Sequence, residues 1–429
     1  MGQRREQDAV SDILEELQWR GLVAQTTDEP ALREALADGP VTFYCGFDPT
    51  APSLHMGNLV QLILMRHLQR AGHHPICLVG GSTGLIGDPK ATAERTLNSP
   101  ETVASWVARI QAQVQPFLDF GGDNPAIMVN NLDWTAPMSA LDFLRDVGKH
   151  FRVNAMIKKD AIATRLASQD GISYTEFSYQ LLQGLDYLHL YRTHGCTLQT
   201  GGTDQWGNLT AGSDLIHRAE HQSVHLLTTP LVTKADGTKF GKTETGTVWL
   251  DAELMSPYAF YQFWINAEDA AVIGYLKTFT DRTRAEIDAL EASVAGTPFK
   301  REAQKTLAAD VTTLVHGALA TSAVQAASEA LFGRGDPRAL DAGTLRDATA
   351  ELPGGEVAPG ASVVDVLVAT GLVESRNAAR RVISDGGVSI NNDKVTDLDA
   401  VLAADDFLHG QVALVRRGRK SLAAARRSL

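Results

Sequence analysis

The sequence predicts an α/β fold: a Rossmann-like parallel-sheet domain, then an α-helical domain and a small α+β domain. Three observations carry this. Apolar strands at 41–46 and 75–79 flank a helical stretch from about Ser53 to Ala71, the spacing of a strand–helix–strand unit, and the alternation runs on to about residue 230. Residues 251–345 read as helical with few strand signals. The last 69 residues alternate short helix and strand signals. A chain of 429 residues is too long for one core, so two to four domains are expected.

Taken in order, residues 1–40 are expected to be helical, with Val10, Ile13, Leu14 and Leu17 at helical spacing. The Rossmann-like domain spans 41–250. It opens with the strand VTFYCG and the turn Asp48-Pro49-Thr50, and Ser53 is placed to cap the helix whose stripe is Val60, Ile63, Leu64 and Leu68. The next strand, Pro75–Val79, is continuously apolar, as a strand buried on both faces would be. It runs into the glycine-rich GGSTGLIGD at 80–88. Open parallel sheets bind ligands at the carboxyl ends of their strands. Residues 44–58 and 80–88 both lie at such ends. A Gly/Pro-rich linker is expected at 346–360, followed by helices near 362–370 and 375–385 in the final domain, 361–429.

Charge and cysteine content narrow the function classes. The formal net charge of −12 argues against a nucleic-acid partner if spread evenly. It is not: residues 361–429 hold ten basic and eight acidic side chains, a net +2, which leaves −14 for the remainder. Cys45, Cys77 and Cys196 form no CxxC pair, which suits a reducing cytoplasm and offers no structural metal cluster. The start lacks the apolar core of a signal peptide, and Glu6 spoils a myristoylation pattern. No apolar run is expected to span a bilayer. A cytoplasmic protein with no membrane partner is the expectation.

Two segments carry chemistry. His55 stands at a helix start in Leu54-His55-Met56-Gly57-Asn58. A lone histidine there is usually structural. With Gly57 allowing close backbone approach and a helix N-terminus offering N–H groups and a positive dipole end, it also suits a phosphate. The other is Lys239-Phe240-Gly241-Lys242-Thr243. It is not a Walker A loop, because the leading glycine would fall at 236, which is Asp. The bland reading is a solvated basic hairpin. A loop with lysines three apart also fits closure over a triphosphate, neutralising departing pyrophosphate. His73 and His74 lack a third ligand at metal spacing and read as surface residues.

Order and separation of these segments match the paired HIGH and KMSKS signatures of class I aminoacyl-tRNA synthetases. The chain resembles the bacterial tyrosyl-tRNA synthetase family over nearly its whole length. The most specific stretches are YCGFDPTAPSLHMGN (44–58), LVGGSTGLIGDP (78–89), YTEFSYQLLQGLDYL (174–188), GGTDQWGN (201–208) and LVTKADGTKFGKT (231–243). The resemblance implies activation of L-tyrosine by ATP, with Mg²⁺, and transfer to tRNA(Tyr). It makes His55, Lys239 and Lys242 catalytic, with Asn58 where the second HIGH histidine would stand; its amide still donates, but a charged donor is lost. It implies tyrosine binding by Tyr44, Asp88, Tyr179, Gln183, Asp186 and Gln205. An ionised Asp186 accepts the phenolic proton while Tyr44 supplies the complementary partner. Nucleotide contacts are implied at Gly46, Asp48, Thr50, Gly57 and Asp204, and along Lys239, Phe240, Gly241, Lys242 and Thr243, with Gln199 also near substrate.

The tail resembles an S4-type RNA-binding domain. RNA contacts are implied at Arg376, Arg380 and Arg381, where the i, i+4 pair shares a helix face, and at Arg416, Arg417, Arg419 and Lys420. A solvated basic surface is the plain alternative. The family resemblance also implies a homodimer, its interface an insertion at about 125–160 within the Rossmann-like catalytic domain, 234–243 being the mobile loop and 251–345 the anticodon-side helical domain. The stripe Leu141, Phe143, Leu144 and Val147 suits that interface or an ordinary core helix. Three rivals are weighed. A small-molecule nucleotidyltransferase would not need the tail; a tryptophan-specific relative is disfavoured by Tyr44 and Asp186. A non-catalytic RNA-binding scaffold would be expected to lose His55 or the lysines.

Overall fold

The protein is described by a computed structural model. It covers residues 12–89, 96–169, 171–233, 241–243, 246–332, 335–418 and 421–428. The chain forms two compact units, residues 1–254 with 267–307 and residues 255–266 with 308–429.

The first unit is built on a six-stranded sheet. Its elements begin with α1 (Ile13–Trp19), β1 (Gln25–Thr26), α2 (Glu29–Asp38), β2 (Thr42–Phe47), α3 (Met56–Arg70), β3 (His74–Val79), α4 (Gly81–Ile86), α5 (Pro100–Val114) and β4 (Ile127–Asn130). After several short turns come α6 (Tyr174–His194), β5 (Leu198–Gly202), α7 (Trp206–Glu220) and β6 (His225–Thr229). Strand order is β1-β6-β5-β2-β3-β4, parallel throughout except that β1 pairs antiparallel with β6. The chain runs outward from β2 to β3 and β4, then returns to the other side of β2 with β5. The crevice between β2 and β5 is therefore the topological switch point, where such sheets bind ligands.

Helix α3 fills the middle of this unit. The expected stripe of Val60, Ile63, Leu64 and Leu68 is buried, and so are Leu59, Leu62 and Met65. Both faces are covered because α3 packs on the sheet with one and on α1 and the helix Asp269–Phe279 with the other. Each such side chain contributes about 1.5–3 kcal/mol by leaving water. Gly72, with φ 98°, turns the chain into β3 as expected.

In the second unit, a five-stranded sheet is ordered 393–395, 388–390, 412–417, 421–427, 354–357. Helices Val363–Ala369 and Arg376–Ser384 stand near the expected 362–370 and 375–385, and Val366, Leu367, Ala379, Ile383, Val415 and Ala423 form its core. The segment read as a linker contributes a strand: Gly354–Val357 pairs parallel with Ala424–Arg427. Its glycines are what allow this, since a Cβ at Gly354 would sit 2.0 Å from the Ala424 carbonyl oxygen.

One compositional expectation fails. The run Pro298–Phe332 is long and apolar enough to cross a membrane by length and composition. Within it Ala303, Leu307, Val311, Ala327 and Leu331 are wholly buried, Leu319 and Phe332 are exposed, and Gly317 breaks the helix with φ 86°.

Candidate active site

The loop after β2 brings His55 to the start of α3, and the first helical turn is closed locally. His55, not the expected Ser53, is the N-cap: its Nδ1 accepts from Gly57 N–H at 3.1 Å, and Asn58 Oδ1 accepts from His55 N–H at 3.0 Å, a capping box. Ser53 is buried and used elsewhere. Its hydroxyl donates to the Leu54 carbonyl at 2.7 Å and accepts from Asp251 N–H at 3.2 Å. An Nδ1 that accepts must, in a neutral ring, leave the proton on Nε2, so His55 presents Nε2–H as its donor.

The helix end differs from expectation in a second way. Met56 N–H donates to the Val248 carbonyl, Gly57 N–H to His55, and Asn58 N–H to the His55 carbonyl. The backbone donors of this first turn are already used. What the end offers an anion is the dipole, the His55 ring and the Asn58 amide.

The strand that satisfies Met56 is the return limb of the lysine-bearing segment. Lys242 and Thr243 pair with Thr247 and Gly246. Val248 N–H donates to the Gly241 carbonyl at 2.9 Å, and Leu250 N–H to the Leu54 carbonyl at 2.9 Å. Gly241 sits against α3 with φ 85°, where a Cβ would stand 2.7 Å from Met56 Cβ. The helix start and the residue-241 limb thus converge. Lys239 and Phe240 lie outside the described residues, as do the side chains of Lys242 and Thr243.

Between these segments and the ends of β2 and β5 lies a cavity of about 550 Å³. Every other predicted small-molecule contact lines it: Tyr44, Gly46, Asp48 and Thr50 after β2; His55, Gly57 and Asn58 on α3; Asp88 after α4; Tyr179, Gln183 and Asp186 on α6; Gln199, Asp204 and Gln205 around β5; and Gly241.

At the deep end Tyr44 is buried, and its hydroxyl is unpartnered. The Asp186 carboxylate accepts from Asn131 Nδ2 at 3.0 Å and Trp134 Nε1 at 2.9 Å. Burial pushes the Asp186 carboxyl up to about 8, the two N–H donors pull it down, and nearby Asp48 raises it. Tyr44 is raised well above the usual phenol range, chiefly by burial and then by Asp186. An acid held near 8 gains or loses its proton close to neutral pH, and the Asn131 and Trp134 donors favour the ionised form. Gln183 Oε1 and Gln199 Oε1 are also buried without partners. Buried acceptors and a buried hydroxyl left open cost free energy unless a polar ligand meets them.

Midway, the predicted polar residues bond to one another and to neighbours. Tyr179 donates its hydroxyl to Asp48 Oδ2 at 2.6 Å. Thr83 donates to Asp48 Oδ1 at 2.6 Å. Asp88 accepts from Gln205 Nε2 at 3.1 Å and Asn208 Nδ2 at 3.0 Å. Lys159 donates to the Gly207 carbonyl; burial lowers it to about 8, against the pull of Asp88. Thr83, Asn131, Trp134 and Lys159 were not singled out from sequence. Nothing in NNLDW marks it as the buttress of a carboxylate 55 residues away. Gly80 and Gly81 explain the glycine-rich turn: a Cβ at either would collide with Asp48 or Asn130 at 2.2–2.3 Å, so the turn serves close packing of α4.

On the second unit, Arg376, Arg380 and Arg381 are exposed on one short helix, with Arg376 paired to Asp365 at 2.6 Å. Arg416 and Arg417 are partly committed: their guanidinium groups donate to the Leu331 and Leu372 carbonyls. Arg419 and Lys420 lie outside the described residues. In the 125–160 region the expected stripe divides. Val147 is buried and Phe143 packs against the core, whereas Leu141 and Leu144 are exposed, as are Val153 and Ile157.

A switch-point cavity bounded by a capped histidine and a lysine-bearing limb defines a class. Residues 36–333 match the family described as tRNA synthetases class I (W and Y), and the chain belongs to that family. Residues 344–424 match the Tyrosine--tRNA ligase SYY-like C-terminal domain. More particularly, the chain is 62% identical to the Tyrosine--tRNA ligase of Streptomyces coelicolor, over 97% of this chain and 99% of that one. Among solved structures it is similar to a C-terminally truncated Coccidioides posadasii mitochondrial tyrosyl-tRNA synthetase (30% identity, TM-score 0.65, 73% of this chain and 91% of that chain). It shares the fold alone with a tryptophanyl-tRNA synthetase from Encephalitozoon cuniculi (14% identity, TM-score 0.55, 73% and 91%).

Proposed function

We propose that the chain is a tyrosine–tRNA ligase. The observation that carries this reading is one cavity that joins the buried Tyr44–Asp186 pair to the His55 and Gly241 segments. The tyrosine carboxylate attacks the α-phosphate of ATP; the α–β bridging bond breaks, giving tyrosyl-adenylate and pyrophosphate. A hydroxyl of the terminal ribose of tRNA(Tyr) then attacks the activated carbonyl, AMP leaves, and the hydroxyl proton passes to solvent or to AMP. No covalent enzyme intermediate is needed, so catalysis rests on positioning and charge stabilisation.

In this reading the phenol is met by Tyr44 and Asp186, and the α-ammonium by Asp88, Tyr179, Gln183 and Gln205. The nucleotide lies along Gly46, Asp48, Thr50, Gly57 and Asp204. His55 donates Nε2–H to charge that develops on the transferring phosphate, Asn58 adds its amide, and Lys239 and Lys242 neutralise the leaving pyrophosphate. ATP enters as its Mg²⁺ complex. The exposed Arg376, Arg380 and Arg381 hold tRNA phosphates, joined by Arg416, Arg417, Arg419 and Lys420 once RNA competes for the first two. Leu141, Leu144, Val153 and Ile157 form part of a homodimer interface, and the enzyme works in the cytoplasm.

Amino-acid-dependent exchange of pyrophosphate into ATP, run with each amino acid in turn, tests the reading. Tyrosine alone should support it. Exchange with tryptophan, or with none, overturns the assignment.

A further inference from the structure

The helix start at His55 and the limb that returns from the lysine-bearing segment bond to each other directly, Leu250 N–H to the Leu54 carbonyl and Asp251 N–H to the Ser53 hydroxyl, and Gln113 on α5 ties them a second time from outside the cavity. Its Oε1 accepts from Leu54 N–H at 2.9 Å. Its Nε2 donates to Asp251 Oδ2 at 3.1 Å. Leu54 is the residue before the His55 cap, and Asp251 directly follows the return strand of the lysine-bearing segment. Arg109, one turn earlier on α5, holds the same Asp251 oxygen at 2.8 Å. Burial alone would raise the Asp251 carboxyl, but the bonds from Arg109, from Glu253 N–H and, least, from Gln113 outweigh it and hold it below the usual range. Asp251 is therefore a fixed anion, and the carboxamide spans from it to the backbone of residue 54.

We infer that Gln113 is a positioning residue, bracing the His55 helix start against the limb at 246–251 from behind without touching substrate. A carboxamide suits the task because it accepts on one side and donates on the other. The inference rests on the reading that both segments act on the triphosphate. If they do, displacing one against the other by about 1 Å costs on the order of 100-fold in rate while the tyrosine pocket stays intact.

The test uses the full chain. Gln113→Glu keeps the acceptor towards Leu54 but turns a carboxylate on Asp251, so the link opens on one side. Adding Asp251→Asn restores a donor opposite the new acceptor, and Arg109, which loses the Asp251 oxygen, takes the carboxylate introduced one turn along α5 as its acceptor. Gln113→Glu should lower the rate of tyrosyl-adenylate formation by roughly 10- to 100-fold, leave tyrosine affinity within about twofold, and recover most of the rate in the double variant. Hydrogen exchange of peptides covering 53–58 and 246–253 should quicken together in the single variant and slow again in the double. An unchanged rate in Gln113→Glu, a parallel loss of rate and tyrosine affinity, or no recovery in a double variant that melts like the parent overturns the inference. A parent enzyme inactive in tyrosine-dependent exchange sinks the functional reading instead; the link itself is then judged by hydrogen exchange, where independent exchange of the two segments overturns it.

Discussion

The two ends of the cavity are made differently. At the Tyr44–Asp186 end the polar groups are buried on β2 and in the middle of α6, and Asn131 and Trp134 from behind fix the carboxylate. At the His55 end the polar groups stand on an exposed helix cap and a short pairing of strands. The first kind of site selects: its groups cannot move, so a ligand that leaves one unpaired is rejected. The second kind can change its contacts as charge moves during reaction, at the expense of rigidity. On the proposed reading, recognition is lodged in the core and chemistry at its margin.

Variants can break this contrast, beginning with the largest effect. His55→Ala should slow adenylate formation by about 100- to 1,000-fold, the loss typical of one electrostatic donor, with tyrosine binding nearly unchanged. Stopped-flow measurement of single turnovers separates the two; equal losses in rate and affinity would sink the division of labour. Asp186→Ala should lose about 1.5–3 kcal/mol of preference for tyrosine over phenylalanine, read as the ratio of kcat/KM values. It should also lower stability, because the Trp134 indole N–H and one Asn131 amide hydrogen lose their acceptor, while Asn131 keeps its bond to Thr83.

A pH series sharpens the same point. With Asp186 near 8, the ionised acceptor is scarce at pH 7 and dominant at pH 9. Tyrosine affinity should then rise about tenfold between those values. A flat profile would show that Asn131 and Trp134 already hold the anion at pH 7. The linkage to folding has the opposite sign. A carboxyl raised in the folded state binds more protons there, so stability falls as pH climbs from about 4 towards 8. Gly241→Ala should produce a smaller loss, roughly tenfold in rate, because the new Cβ meets Met56 and φ is 85°. Smallest is Arg380→Ala: RNA binding should weaken evenly across sequences, and the salt dependence should drop by about one phosphate contact.

The contrast also governs what the sequence could disclose. Strands β2 and β3 and helix α3 were legible because apolar period and turn residues speak locally. The polar residues of the cavity were legible through family stretches; many sit within a few residues of a strand or helix end, whereas Gln183 and Asp186 stand in the middle of α6. The partners were not. Asn131, Trp134 and Thr83 act through contacts 35 to 55 residues away in the chain, which no local pattern encodes. Ser53 illustrates the same limit: a serine three residues before a helix is a sound cap by pattern, yet tertiary bonding drew it to residue 251 and passed the cap to His55.

The strand at 354–357 bears on how the second unit may be cut. Arg426 on its neighbour also reaches the carbonyls of Thr349, Ala350 and Leu352. A fragment begun at residue 361 would strip both away and bare the flank of 421–427, inviting two copies to stitch together there. Begun at 344, the same fragment carries its own selvedge.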